Sequence, residues 1–223
     1  MKTYAAVKDM RVYFISEAEF PCLPEEDSQQ WQQRAAADLI ERYVPGIDKG
    51  FHNGPYGKPY LNDGPFFNVA HTHGAVLLAV SEYGEVGCDI EKLDRPCPGA
   101  ERFMQKSERG MNPIQAWVRK EAVAKAAGKG IFRLKPEMID VSDSQTFCDG
   151  RNWQLWDVDI PGYAASIASV LFDDVDYSDG KWPEKYDDRD DVEDFGGLPY
   201  GRDKDYCSAC GPCGDLDDQL TDF

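Results

Sequence analysis

The pattern of apolar and polar positions divides the first 172 residues of the chain into strands and helices. Period-two alternation and short apolar runs predict strands, because successive side chains of a strand point to opposite faces. The predicted strands lie near residues 3–7, 11–15, 66–71, 75–80, 86–91, 138–142, 153–158 and 163–171. Residues 46–65 are rich in Gly, Pro, Asn and Asp, which predicts a long functional loop.

Three helices are predicted between these strands. The first runs from Ser28, its predicted N-cap, to Tyr43, with apolar residues along one face. The second is short and lies near residues 100–108. The third begins at Asn112 and ends at Gly128, since glycine is common just beyond a helix. The elements predict an α+β fold, and a hydrophobic content of 42% suffices for one good-sized domain or two small ones.

Two acidic residues share one face of the strand predicted near 86–91. The segment reads Val86-Gly87-Cys88-Asp89-Ile90-Glu91. Its apolar side chains Val86, Cys88 and Ile90 point to one side, so Asp89 and Glu91 point together to the other.

A third carboxylate lies beside two ammonium groups on the long helix. Trp117, Glu121 and Lys125 are spaced i, i+4, i+8, so they share one helix face with Lys120 at its edge. Carboxylates are hard oxygen ligands that suit Mg²⁺, which completes its octahedron with water and substrate phosphate. Lysines beside such a site favour a phosphorylated substrate.

Each cluster taken singly also fits an ordinary protein surface. Glu121 and Lys125 can form a solvent-facing pair that contributes roughly 0.3–0.5 kcal/mol. Asp89 and Glu91 can be the solvent face of an edge strand. The functional interpretation therefore depends on the combination of both clusters with the segments upstream.

Four short motifs follow one another in a fixed order. They are Gly57-Lys58-Pro59, Phe67-Asn68-x-x-His71, Val86-Gly87-x-Asp89-x-Glu91 and Trp117-x-x-Lys120-Glu121-Ala122-x-x-Lys125-x-x-Gly128-x-Gly130. Each is weak alone, but the ordered set is hard to obtain by chance. Over roughly residues 34–172, the chain resembles the Sfp-type 4′-phosphopantetheinyl transferases.

The resemblance implies a reaction and a metal. The phosphopantetheine arm of coenzyme A moves onto a serine of an acyl- or peptidyl-carrier protein, and 3′,5′-ADP is released. By the same resemblance, Asp89, Glu91 and Glu121 are the Mg²⁺ ligands, and Glu121 also accepts the serine proton, directly or through water.

The basic residues receive their roles from the same resemblance. Lys125 is expected to stabilise the departing phosphate, and Lys120 to keep the helix face electropositive. Lys58 and His71 are the expected phosphate contacts, and Arg34 the contact to the nucleotide end, where a guanidinium offers a rigid fork of donors.

The family's architecture implies two helix-on-sheet halves related by a pseudo-twofold axis, with the substrate cleft between them. The halves are expected at residues 1–80 and 81–172. The acidic, hydrophilic tail at 173–223 is expected to be a flexible extension that aids solubility or contacts a partner. The family likeness also suggests a monomer.

Departures from the family pattern keep a second function open. Ala70 stands where a serine that can bond phosphate is common, and Val118 replaces a small hydroxyl or thiol residue. An acidic stretch, Pro24-Glu25-Glu26-Asp27, lies in the half that usually offers basic residues to the 3′-phosphate. Val118 is expected to affect packing. Ala70 and the missing basic stretch favour the alternative of a non-catalytic coenzyme A or nucleotide-binding protein of the same fold.

The histidines allow other interpretations. A His-x-His pair, here His71 and His73, can bind zinc, but the chain has only 3 histidines and no cysteine near these two. For His71, a core histidine bonded to backbone is the structural alternative. His73 receives no role.

The charge of the chain is concentrated in its tail. Residues 173–223 carry 17 acidic and 5 basic side chains of a chain with net charge −17. The lack of a basic footprint argues against nucleic acid. Cys207, Cys210 and Cys213 have a spacing that suggests a metal or partner-binding module, a third alternative. The odd total of 7 cysteines and the lack of a long apolar segment predict a cytoplasmic protein that does not contact the membrane.

Overall fold

The computed structural model describes residues 10–95 and 99–170, together with the backbone of three further strands near the ends of the chain. In chain order the strands and long helices are β1 Lys2–Val7, β2 Met10–Ser16, α1 Ser28–Tyr43, β3 His52–Asn53, β4 Pro59–Tyr60, β5 Phe66–Thr72, β6 Ala75–Ser81, β7 Val86–Lys92, α2 Pro113–Ala126, β8 Gln145–Cys148, β9 Arg151–Asp157, β10 Tyr163–Val170, β11 Tyr206–Cys207 and β12 Gly211–Pro212. The predicted α+β class is confirmed, with two helices packed on antiparallel sheets.

Two four-stranded antiparallel sheets form the body of the protein. Their strand orders are β1-β2-β6-β5 and β7-β10-β9-β8. The chain segments that form the two sheets follow the same order of elements: a strand, a helix packed on the sheet, and a hairpin whose last strand pairs with the first strand. These elements are β2, α1, β5 and β6 in the first half and β7, α2, β9 and β10 in the second.

The elements pack in layers around three apolar clusters. Helix α1 covers one face of the first sheet through residues such as Trp31 and Leu39, both fully buried. The other face of that sheet packs against the second sheet, with Leu77 and Ile90 in the shared cluster. Helix α2 covers the outer face of the second sheet, where Trp153 is buried. The two sheets therefore lie between the two helices.

A hydrogen bond joins the edge strands of the two sheets. The side chain of Asn68 on β5 accepts a 2.8 Å bond from the backbone N–H of Cys88 on β7. Asn68 belongs to the Phe-Asn-x-x-His motif, and its buried amide satisfies an edge donor that no strand partner reaches. The motif asparagine thus connects the two sheets.

The structure corrects several sequence predictions. The N-cap of α1 is Asp27, not Ser28, and its carboxylate forms a capping box with Gln30. The helix predicted near 100–108 is two short 3₁₀ helices, Ala100–Phe103 and Lys106–Glu108. The strand predicted near 138–142 is replaced by a 3₁₀ turn at Pro136–Met138 and then loop.

Two further predictions concern the loop and the tail. Residues 46–65 contain the small hairpin of β3 and β4 in addition to loop. Within the parts of the chain described, no helix combines the length and apolarity needed to cross a membrane. The alternative of a metal site at Cys207, Cys210 and Cys213 concerns side chains outside the described residues.

Candidate functional site

Helix α2 crosses β7 in direct contact at Gly87. A Cβ placed on Gly87 would lie 2.1 Å from the backbone nitrogen of Ala126 and 2.2 Å from the carbonyl oxygen of Ala122. Only a residue without a side chain allows this approach. Gly87, Asp89 and Glu91 share one face of β7, so the crossing brings the last turns of α2 beside both carboxylates.

An ion pair connects the strand to the helix at this crossing. The Lys125 ammonium donates to the Asp89 carboxylate at 2.6 Å, with the lysine side chain 33% exposed and that of Asp89 9% exposed. Burial alone would lower the pKa of Lys125. The negative charges of Asp89 and Glu121 outweigh burial and raise the pKa above its ordinary value. Lys125 therefore lies in the field of two of the three predicted metal ligands.

Glu91 is held from two sides. The buried hydroxyl of Thr72, the last residue of β5, donates to Glu91 Oε2 at 2.9 Å. Arg95 in the turn after β7 reaches the same oxygen at 3.3 Å. Neither residue was predicted at the site. Strand alternation offered a signal for Thr72, because it shares a face with Asn68 and Ala70 and not with His71.

The donor set fits Mg²⁺ by its chemistry. Asp89, Glu91 and Glu121 supply hard carboxylate oxygens from one strand and the helix packed on it. Within the described part of the chain, no three His, Cys, Asp or Glu side chains converge on one metal position. Asp89 bonds Lys125, and Glu91 bonds Thr72 and Arg95, so metal binding requires these side chains to turn toward a common point.

Lys58 does not project into open space as a phosphate contact. Its ammonium forms an ion pair with Glu85 and donates to the carbonyl oxygen of Ala126 at 2.9 Å. Only 6% of the Lys58 side chain is exposed. The lysine of the Gly-Lys-Pro motif thus contacts the end of α2.

Lys120 is buried away from the other site residues. Its side chain is 1% exposed and bonds Glu108 at 2.8 Å and the carbonyl oxygens of Pro136 and Ile139. Burial lowers the pKa of Lys120, against the opposing effect of Glu108. The expectation that Lys120 keeps the helix face electropositive is therefore not supported, because Glu108 compensates its charge inside the protein. The Lys120 ammonium instead fixes the 3₁₀ turn at Pro136–Met138 to α2.

Arg34 forms an ion pair with the acidic stretch at residues 24–27. Its guanidinium makes two 2.7 Å bonds to the Glu26 carboxylate and one of 2.8 Å to the carbonyl of Pro21. The bonds from Arg34 lower the pKa of Glu26 to about 2. To contact a nucleotide phosphate, Arg34 would have to exchange this carboxylate for the ligand.

His71 is exposed and lies on the opposite face of β5 from Ala70 and Thr72. Its exposure rules out the alternative of a core histidine. His73, also exposed, forms a 3.3 Å contact through Nδ1 with the Ser28 hydroxyl. Exposure leaves His71 accessible to a ligand, although its face differs from that of Thr72.

A cavity of about 400 Å³ opens between the ends of the two sheets. Phe14 and Tyr163 are among its lining residues, with Glu17 and Lys92 as charged groups. Lys92 follows Glu91 on β7 and therefore points to the opposite face from the carboxylates. The cavity contains none of the predicted site residues.

Comparisons with known proteins agree with the motifs. No family model matches the chain. It is 38% identical to a putative 4′-phosphopantetheinyl transferase of Synechocystis sp., over 36% of this chain and 40% of that protein. The 4′-phosphopantetheinyl transferase gsp of Aneurinibacillus migulanus is 29% identical over 48% of this chain and 53% of its own. AcpT of Salmonella typhi, also a 4′-phosphopantetheinyl transferase, is 30% identical over 41% and 59%.

The chain spans about half the length of the curated relatives it matches. The resemblance predicted from the ordered motifs is confirmed at this level. Over about 40% of its length, the chain is a distant homologue of curated 4′-phosphopantetheinyl transferases.

Proposed function

We propose that this protein transfers the 4′-phosphopantetheine arm of coenzyme A to a serine hydroxyl of an acyl- or peptidyl-carrier protein. The observation that carries the proposal is the crossing at Gly87, where Asp89 and Lys125 pair and Glu121 acts on the same ammonium. Carboxylates and a charged lysine at one point are the groups that phosphoryl-type displacement requires.

The metal in this proposal is Mg²⁺, held by Asp89, Glu91 and Glu121. When bound, it neutralises charge on the coenzyme A pyrophosphate. The serine oxygen bonds to the phosphorus of the pantetheine phosphate as the bridging P–O bond breaks, and 3′,5′-ADP leaves. Glu121 takes the serine proton, directly or through water, and Lys125 stabilises the negative oxygens of the leaving phosphate.

Under this proposal, some of the basic residues predicted at the site contact the substrate and others do not. Lys125 and the exposed His71 remain candidate phosphate contacts, and Arg34 remains a candidate for the nucleotide end once Glu26 is displaced. Lys120 is not retained, because its ammonium is fully paired inside the protein. The repeated succession of strand, helix and hairpin supports a pseudo-twofold arrangement of halves 1–80 and 81–172, with the reaction beside their boundary.

The test uses the purified chain with coenzyme A, Mg²⁺ and several apo carrier proteins. Mass spectrometry is expected to find the phosphopantetheine adduct on the carrier serine, and Glu121→Gln to abolish it. Asp149→Asn is the matched control, since Asp149 pairs with Lys129 at the surface.

The second candidate is a coenzyme A or nucleotide-binding protein that does not transfer. Ala70 and the Arg34–Glu26 pair favour it, because each removes a contact from a bound phosphate. Tight coenzyme A binding with no adduct on any carrier would support this candidate and contradict transfer. A metal or partner module formed by the cysteines of the tail stays a separate hypothesis.

A further inference from the structure

A buried ion pair connects the Gly-Lys-Pro loop to the end of helix α2. Lys58 lies just before β4, in the first half of the chain, and Glu85 in the turn before β7. Their side chains are 6% and 15% exposed. The Lys58 ammonium bonds the Glu85 carboxylate and the Ala126 carbonyl oxygen together.

The position of Ala126 gives this pair its significance. Ala126 is the last residue of α2, follows Lys125 directly, and lies against Gly87. The last carbonyl groups of a helix lack partners within the helix and carry partial negative charge, so a lysine there satisfies and stabilises them. Lys58 therefore fixes the turn of α2 that presents Lys125 to Asp89.

Glu85 is itself held in the second sheet. Its backbone carbonyl accepts a 3.2 Å bond from the N–H of Val170 on β10. The backbone of Glu85 is thus fixed to β10, and its carboxylate is held where it can orient the Lys58 ammonium. Since both charges are largely out of solvent, removal of either one leaves the other without compensation.

We infer that Lys58 is a positioning residue: with Glu85 it fixes the C-terminal turn of α2, and hence Lys125, instead of contacting a phosphate of the substrate. The inference rests on the proposed function for its effect on rate. The contact to α2 can be measured without any reaction.

The first measurement is hydrogen exchange of the backbone amides at residues 124–129 in the full chain. Lys58→Met and the milder Glu85→Gln are both expected to exchange at least about tenfold faster there than the wild type, with the centre of α2 unchanged. Lys129→Met is the control, because Lys129 also follows α2 but pairs with Asp149 at the surface. Unchanged exchange in Lys58→Met would overturn the inference, whether or not the protein transfers.

The second measurement separates kcat from the KM for coenzyme A. Lys58→Met and Glu85→Gln are both expected to lower kcat by about tenfold to a hundredfold, as small misplacements of a reacting group do, with KM changed less than about threefold. The double variant should be no slower than the worse single variant, since both changes break one unit. Lys58→Arg should recover part of kcat by keeping the bond to Glu85.

A phosphate contact gives the opposite pattern. In that case Lys58→Met would raise KM for coenzyme A by about tenfold or more while Glu85→Gln left both constants unchanged, and the inference would be wrong. If the wild type transfers to no carrier, the proposed function fails, and the exchange measurement still decides whether Lys58 and Glu85 fix α2.

Discussion

The hydroxyl of Thr72 donates a 2.9 Å hydrogen bond to the carboxylate of Glu91, and this bond joins the end of β5 to the end of β7. Together with the bond between Asn68 and the Cys88 amide, it connects β5 and β7, the edge strands of the two sheets, at two positions along their length. One of these bonds ends on a candidate metal ligand. The junction of the sheets therefore also orients Glu91.

Replacement of Thr72 by valine should weaken metal-dependent activity. Valine keeps the volume but removes the donor to Glu91, and loss of a group that orients a ligand typically costs about 10–100-fold in metal affinity or activity. The Mg²⁺ concentration needed for half-maximal transfer should rise in Thr72→Val and return toward normal in Thr72→Ser. Thr146→Val is the control, because Thr146 is similarly buried but lies on β8. If Thr72→Val, Thr72→Ser and Thr146→Val all required the same Mg²⁺ concentration, Thr72 would have no role in orienting the metal ligand Glu91.

Replacement of Gly87 by alanine should destabilise the fold strongly. The added Cβ would meet backbone atoms of Ala122 and Ala126 at little more than 2 Å, so α2 must move away from β7. Overpacking of this kind costs about 1–3 kcal/mol and occasionally more, and a collision with backbone places Gly87 at the upper end, at about 3 kcal/mol. Denaturant unfolding measures the loss.

Gly130→Ala supplies the matched control for that measurement. Gly130 has a φ of −66°, and no atom lies within 4 Å of an added Cβ. A change to alanine there should leave stability the same or raise it by about 0.4–1 kcal/mol. If Gly87→Ala behaved like Gly130→Ala, the close crossing of α2 over β7 would be wrong.

The carboxylates of the site were predictable, and the reason is local. Two carboxylates at i and i+2 of a strand share a face whatever surrounds them, and Glu121 and Lys125 share a helix face by their spacing. The sheet and helix that carry them had clear apolar patterns. What the sequence could not supply was the distance between strand and helix, which depends on the missing side chain of Gly87.

The lysines show why the rest was not predictable. Lys120 and Lys58 are lysines in family motifs, and their spacing alone is that of solvent-facing or ligand-facing groups. Their partners, Glu108 and Glu85, are 12 and 27 residues away in the chain. Only the tertiary fold decides whether such a partner buries the charge, because the two partners come from different elements.

Strand β8 was missed for a related reason. Its apolar Phe147 is 67% exposed, while the polar Thr146 is buried. The polarity of these two neighbouring residues is therefore the reverse of what an amphipathic strand predicts, and in a segment of four residues this hides the alternation. Pairing with β9 determines its conformation instead.

Neutralising a candidate metal ligand should reduce transfer severely. Asp89→Asn and Glu121→Gln keep the shape of the side chain but remove its charge, and loss of one electrostatic stabiliser typically reduces kcat by about 10²–10³-fold. Carrier modification at saturating coenzyme A and Mg²⁺ measures the effect, with Asp149→Asn as the surface control. Normal turnover in either variant would remove that residue from the metal assignment.

Lys125→Ala should lose activity where Lys129→Ala does not. The two lysine side chains are 33% and 35% exposed, and each pairs with an aspartate, but the pKa of Lys125 is also raised by the negative charge of Glu121. Transfer per folded molecule should fall at least about a hundredfold in Lys125→Ala and stay near normal in Lys129→Ala. Equal rates in the two variants would leave Lys125 as an ordinary ion pair.

The raised pKa of Lys125 sets the expected pH dependence. Because the pKa is higher in the folded chain, the stability that this charge contributes is fully present below the unfolded value of about 10.4 and is lost only as the pH rises through the folded value. Lys125 therefore stays charged across neutral and mildly alkaline pH. The difference in unfolding free energy between wild type and Lys125→Ala should be constant from about pH 7 to about pH 9, and a decline within that window would contradict the raised pKa.

Removal of the acidic tail should leave the chemistry intact. All candidate catalytic and binding residues precede residue 126, and both sheets with their helices are complete at Val170. A chain that ends at Asp173 should therefore fold and modify the same carrier. Without 16 acidic and 5 basic side chains, the shortened chain should also capture anionic coenzyme A better at low salt, and this gain should fade as ionic strength rises. Circular dichroism, and the KM for coenzyme A at several salt concentrations, test these outcomes. Aggregation or inactivity of the shortened chain, or stoichiometric iron or zinc in the full-length one, would show that the tail takes part in the working structure.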